Sequence, residues 1–170
     1  IGDPLLVSRT LLSQGVLTDR GLEPARFEDH ASSDSAAQFD HTAGKVRFDG
    51  KAPEVDLTLG GKDQLSVFVQ MAAVFMGNAD RLPAGSTLAC QAVGARASAR
   101  WAFTVVNFEL ITLPTGPINA IHLTRDAGAD QDTTFDLWLA PETGYLPLRI
   151  RIADNNGNFV EQEWQPVDKP

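Results

Sequence analysis

Residues 135–165 read FDLWLAPETGYLPLRIRIADNNGNFVEQEWQ, and this stretch parses as three antiparallel strands joined by two turns. Phe135, Leu137 and Leu139 alternate with Asp136 and Trp138, and Leu148, Ile150 and Ile152 alternate with Arg149 and Arg151. A period of two is the pattern of a half-buried strand. The second turn fixes a register. A two-residue loop at Asn156-Gly157 would set Ile152 opposite Glu161 and mix the two faces. A three-residue loop, Asn155-Asn156-Gly157, puts Gly157 at the left-handed position that closes a type I turn plus bulge. Ile152 then faces Val160, Arg151 faces Glu161, Arg149 faces Glu163, and Leu148 faces Trp164. One face becomes mostly apolar and the other carries two opposite-charge pairs, each contributing about 0.2–1 kcal/mol. A slip of one residue would exchange core and water along the whole strand. The arginines are thereby read first as a salt-bridge ladder, with Arg149 kept as a candidate ligand contact.

Upstream, Ser13–Leu17 and Leu22–Asp29 read as strands around the turn at Thr18–Gly21, with Pro24 suiting an edge or a strand start. The first twelve residues lean to a short helix at their centre. Ser32–Ala37 is small and polar and reads as a loop. Phe39, the turn His41–Gly44, and Val46 and Phe48 make a short hairpin. Glu54–Leu59 is a further strand. From Asp63, DQLSVFVQMAAVFMGNAD places Leu65, Phe68, Val69, Ala72, Phe75 and Met76 at spacings of three and four. This predicts one α-helix over about 63–77, capped by Asp63 and stopped at Gly77-Asn78. Ala73 and Val74 make it apolar on more than one side, so it is expected to be sandwiched against a sheet. Strands follow at Ser86–Val93, Ala97–Phe108 and Ile118–Arg125, with a polar turn at Asp126–Asp132. Short, regularly spaced strands with one helix predict a mainly β fold: a curved antiparallel sheet or barrel-like meander, in a single domain over 1–170.

Composition narrows the function. With 14 Lys and Arg against 22 Asp and Glu, the net charge is -8. That argues against nucleic acid, where a basic face supplies most of the affinity, and against electrostatic attachment to anionic lipid. No apolar run reaches the roughly 18 residues of a membrane-spanning helix, and the opening IGDPLLVSRT lacks the shape of a signal peptide. The single cysteine, Cys90, reads as a small buried residue.

No motif carries catalysis. His30, His41 and His122 are far apart and lack the short-spaced partners of a metal site. No Gly-x-Ser-x-Gly elbow surrounds Ser86 or any other serine. Gly60-Gly61-Lys62 lacks the remaining phosphate-loop spacing. Asp154 with its asparagines is accounted for by the hairpin. Glu161 and Glu163 share a strand face, as a glycosidase pair would, but the register gives each an arginine. No cofactor and no metal are implied.

Four segments taken in order, GVLTDRGLEPARFED (15–29), KDQLSVFVQMA (62–72), FELITLPTGPINAIHLTR (108–125) and DLWLAPETGYLPLRIRIADNNG (136–157), resemble the DUF3108 family, and the similarity runs from Leu11 to Trp164. The resemblance implies a bacterial protein of the periplasm or cell envelope, in a family of unknown function with no catalytic residues to carry over. Family members begin with more β-strand before the segment matching Ser13-Gln14-Gly15. The resemblance therefore implies that N-terminal strands are missing or shortened here, and that a pocket they complete would stand open.

The expected function is a non-catalytic envelope protein that binds a hydrophobic or glycan ligand or an envelope protein. The candidate ligand contacts are the exposed-side aromatics Trp101 and Trp138, the helix residues Phe68 and Phe75, and Arg149. A cavity lined by Leu65, Phe68, Phe75 and Met76 would mark a carrier. The rival readings are a hydrolase acting on envelope polysaccharide through paired carboxylates, and an interaction module that pairs through a free sheet edge.

Overall fold

A computed structural model describes residues 9–19, 21–31, 33–125 and 133–165. The strands are β1 (Thr10–Thr18), β2 (Gly21–His30), β3 (Ser35–Asp40), β4 (Lys45–Phe48), β5 (Val55–Asp56), β6 (Lys62–Asp63), β7 (Thr87–Val93), β8 (Ser98–Leu113), β9 (Gly116–Arg125), β10 (Thr133–Leu139), β11 (Pro147–Asp154) and β12 (Phe159–Glu163), with α1 (Ser66–Asn78) between β6 and β7. They form a five-stranded antiparallel sheet in chain order β1 to β5, and a curled seven-stranded sheet ordered β12-β11-β10-β9-β8-β7-β6. The mainly β fold with one main helix is as the strand spacing predicts. Two sheets replace one, and β6 runs parallel to β7. Contacts divide the chain into two compact units: unit 1 is Ile1–Val67 with Cys90–Arg100, and unit 2 is Phe68–Ala89 with Trp101–Pro170. Among the described residues, no helix is long and apolar enough to cross a membrane.

The core of unit 1 is built on Phe27, Phe39, Val46 and Phe48, with Val93 and Ala95 against them. Strand β3 begins at Ser35, where the polar composition suggests a loop; Ala37 pairs with Phe27 on one side and Phe48 on the other. A small side chain between two large cross-strand neighbours is a packing requirement, not a loop signal. Pro24 lies in β2, which is interior to its sheet and not an edge. The proline is tolerated because the β1–β2 register shifts there, Gln14 facing Arg26 and Gly15 facing Pro24, and a bulge removes the need for its missing N–H. Gly15 is required at this spot: a Cβ on it would lie 2.4 Å from the Glu23 carbonyl oxygen. The expected N-terminal helix falls on residues outside the described ones, apart from Thr10 onward, which is strand. The polar turn at 126–132 also lies outside them.

Helix α1 starts three residues later than its cap. The Asp63 carboxylate accepts from the N–H groups of Leu65 and Ser66, both at 2.9 Å, the second and third positions an N-cap serves. The helix continues through Gly77 to Asn78. Its buried face is Val67, Met71, Ala72 and Phe75, while Val69 and Met76 are exposed. The stripe expected from Leu65, Val69 and Met76 is therefore rotated, because apolar residues nearly encircle this helix and leave its phase ambiguous.

In unit 2, Phe135 faces Ile152, Leu137 faces Ile150, and Trp138 faces Arg149 across β10 and β11. The β11–β12 pairing places Ile152 opposite Val160, Arg151 opposite Glu161 and Arg149 opposite Glu163, the register that the three-residue loop requires. Gly157 has φ 85° and its N–H donates to the Asp154 carbonyl at 3.1 Å. The apolar face of β12 is not buried, however. Val160 is 61% exposed, because β12 is the edge of its sheet.

Candidate functional site

A pocket of about 600 Å³ opens in unit 1. The first part of its wall is a turn that follows β5. The Gly61 N–H donates to the Thr58 carbonyl at 2.9 Å, and Gly60 takes φ 79° at the third position, the type II signature that favours glycine. Leu59, the second turn residue, is 95% exposed. Gln91 pins this turn with its whole amide. Its Oε1 accepts from the Thr58 N–H at 2.8 Å and the Thr58 hydroxyl at 3.0 Å. Its Nε2 donates to the Asp56 carbonyl at 2.7 Å and to the Ser98 hydroxyl at 3.0 Å. Gly61 allows this fit, since a Cβ there would come within 2.6 Å of Gln91 Oε1 and 2.8 Å of Leu57 Cδ1.

Strand β6 supplies the chemistry. Its two side chains point to opposite sides, as strand geometry dictates. Asp63 is fully buried and accepts four hydrogen bonds, adding the hydroxyls of Ser13 at 2.8 Å and Ser66 at 2.6 Å to the two cap bonds. Lys62 lines the pocket and is only 4% exposed. Among the described residues its ammonium has no hydrogen-bond or ion-pair partner. Burial holds its pKa below the ordinary lysine value, partly offset by Cys90, Glu23 and Asp63 nearby. The Cys90 thiol is pushed up, again mainly by burial, so it stays protonated near neutrality and supplies no counter-charge.

Glu23 and His41 complete the wall. Their polar atoms are engaged locally: the Thr18 hydroxyl donates to Glu23 Oε1 at 3.3 Å, and His41 Nε2 bonds the Pro24 carbonyl at 2.6 Å while its ring stacks on Phe39. The arrangement is a cleft whose wall carries one cation, Lys62, and one carboxylate, Glu23, with Leu57 and Leu59 beside them.

The residues singled out from sequence lie elsewhere. Trp101 is 4% exposed, not on an exposed side. Its ring meets Phe135 at 5.1 Å and Phe103 at 6.1 Å, under the Arg125 guanidinium at 4.8 Å. It is in phase with the buried Phe103 and Val105, and the alternation breaks only at the bulge between Val105 and Asn107. Phe68 packs on Trp101 and Phe135, and Phe75, fully buried, on Tyr145. Leu65 packs against the core cluster of unit 1, and Met76 is 68% exposed.

Trp138 and Arg149 do meet, on a partly exposed face of unit 2. The Trp138 ring is sandwiched between its two cross-strand neighbours, with His122 stacked at 4.6 Å and the Arg149 guanidinium at 5.5 Å. Its Nε1–H donates to Glu109 at 2.7 Å. Arg149 holds Glu163 at 2.8 Å, approaches Glu161 at 3.9 Å, and donates to the Thr112 carbonyl at 2.7 Å. Arg151 sits opposite Glu161 as expected and also lies 4.0 Å over the Phe159 ring. Both faces of Trp138 are thus occupied from within.

Sequence reading did not single out Glu23, met His41 only as a turn residue and a rejected metal ligand, and met Lys62 only as the end of a failed phosphate loop. Its signal was the Gly60-Gly61 pair, which marks a close approach of backbone. Among the described residues no group of three or more His, Cys, Asp or Glu side chains could hold a metal ion.

A family model described as Protein of unknown function (DUF3108) matches residues 6–163. No curated protein and no solved structure matches the chain.

Proposed function

The chain belongs to the DUF3108 family, whose function is unknown, and on that premise we propose that it is a non-catalytic protein of the cell envelope that binds a small, partly hydrophobic ligand in the pocket of unit 1. The observation that carries this reading is Lys62. A lysine only 4% exposed, whose charged form burial disfavours, costs stability in a fold that has no use for it. Its place in a pocket of about 600 Å³, within the roughly 300–1,000 Å³ of small-molecule sites, gives it a use. Leu57 and Leu59 favour an apolar ligand body. A glycan reading would draw on Trp138, but sugar stacking needs a free aromatic face and His122 and Arg149 cover that ring. The envelope location rests on the family resemblance.

The test is native mass spectrometry of protein purified without detergent, followed by organic extraction, together with titration by the neutral dye Nile red. A co-purifying small molecule, or saturable dye binding blocked by a Leu57→Asp substitution in the pocket wall, is expected. A clean apo protein that binds no dye would overturn the reading.

A further inference from the structure

We infer that the pocket of unit 1 selects a ligand with an anionic oxygen head group, held by Lys62 Nζ, with its apolar part against Leu57 and Leu59. This rests on the binding reading above and adds the ligand's charge. Burial leaves the Lys62 ammonium with a net demand for negative charge. Glu23, Asp63 and Cys90 act on Lys62 from nearby, and burial outweighs all three. Asp63 points to the other side of β6 and is saturated by four hydrogen bonds. Glu23 lines the same pocket and draws on Lys62 from nearby, but it is also engaged by Thr18. Cys90 is held in its thiol form by burial. A carboxylate or phosphate oxygen in the pocket would supply the missing partner in a site of low dielectric, where charge-assisted bonds are strong.

The neighbouring geometry fits a fixed anchor. Lys62 is hydrogen-bonded through its strand to Ala92 in β7, and Gln91 in the same strand clamps the turn that carries Leu59. The cation and the apolar rim are therefore tied to one support, so a ligand that reaches both is held without reorganising the site.

Calorimetric titration of the wild-type protein with decanoate, decyl phosphate and decanol tests this without any variant. One or both anions are expected to bind at least about tenfold tighter than decanol, a difference of about 1.4 kcal/mol. Preference for decanoate identifies a carboxylate head, and preference for decyl phosphate a phosphate head. Lys62→Met is expected to remove the advantage of the anions over decanol, and Lys62→Arg to restore part of it. Decanol binding as tightly as both anions would overturn the inference while leaving the pocket reading intact. Failure of all three probes would overturn both.

Discussion

Trp138 and His122 stack with ring planes 5° from parallel and centroids 4.6 Å apart, and they are directly paired residues of β10 and β9. The stack is one rung of a ladder across the sheet. Glu109 accepts from the Trp138 indole, Asp136 lies 2.8 Å from His122 Nε2, and Arg149 closes the far side of the ring. Cross-strand contacts of this kind stabilise a sheet on its partly exposed face.

Trp138→Ala should therefore destabilise the protein by about 2–3 kcal/mol, below the full cost of a core tryptophan because the ring is partly exposed. Trp138→Phe keeps the stack but forfeits the bond to Glu109, and should cost about 1 kcal/mol. Urea denaturation followed by circular dichroism measures both. Equal losses for the two substitutions would contradict the stacking account.

Asp63 ties three segments together: the start of α1 through Leu65 and Ser66, and β1 through Ser13. Asp63→Ala removes a cap worth about 1 kcal/mol and leaves buried hydroxyls and amides unpaired, so a total loss of about 2–4 kcal/mol is expected. Asp63→Asn retains an oxygen for the two backbone N–H groups and should recover more than half of that. Denaturant midpoints of the two variants decide the matter; a loss in Asp63→Ala of about 1 kcal/mol would reduce Asp63 to an ordinary cap.

What was legible beforehand followed from local chemistry. The β11–β12 register could be read because turn geometry and charge agree on it: Gly157 needs the left-handed position, and only one register sets Arg149 against Glu163. The phase of α1 could not, because Val69, Val74 and Met76 spread apolar character around the helix. The burial of Trp101 was obscured by a bulge in β8 that no glycine or proline marks. The pocket was least legible of all. Glu23, His41 and Lys62 are far apart in sequence, and the one feature that distinguishes Lys62, a lysine only 4% exposed in a pocket wall, exists only after folding.

His30 lies 2.8 Å from Glu28 and 3.1 Å from Asp34. Its pKa is raised by the hydrogen bond to Glu28 first and that to Asp34 second, and Glu28 is lowered by Arg26 and then His30. The stabilising effect of the histidine is full below its unfolded value of about 6.5 and fades as pH rises through the higher folded value. That of Glu28 is present above about 4.3 and fades as pH falls through its lower folded value. Glu28→Gln should bring the His30 pKa down toward the ordinary value in an NMR titration of the ring. An unchanged titration would show that Asp34 alone sets it.

Lys62→Met should make the unliganded protein more stable, by about 1 kcal/mol, because it replaces a charge that burial disfavours with an apolar chain of similar length. For a chain of 170 residues that corresponds to a rise of about 2–4 °C in Tm. The pH dependence identifies the cause. Burial lowers the folded pKa of Lys62 below its ordinary value, so the folded state loses this proton at lower pH than the unfolded state does. The cost of the charge is therefore full at neutral pH, begins to fall as pH rises past the folded pKa, and is smallest above the unfolded value of about 10.4. The Tm advantage of Lys62→Met should accordingly shrink between pH 7 and pH 10. A constant advantage would trace the gain to packing alone, and a loss of stability at pH 7 would mean that the ammonium already has a partner inside the fold.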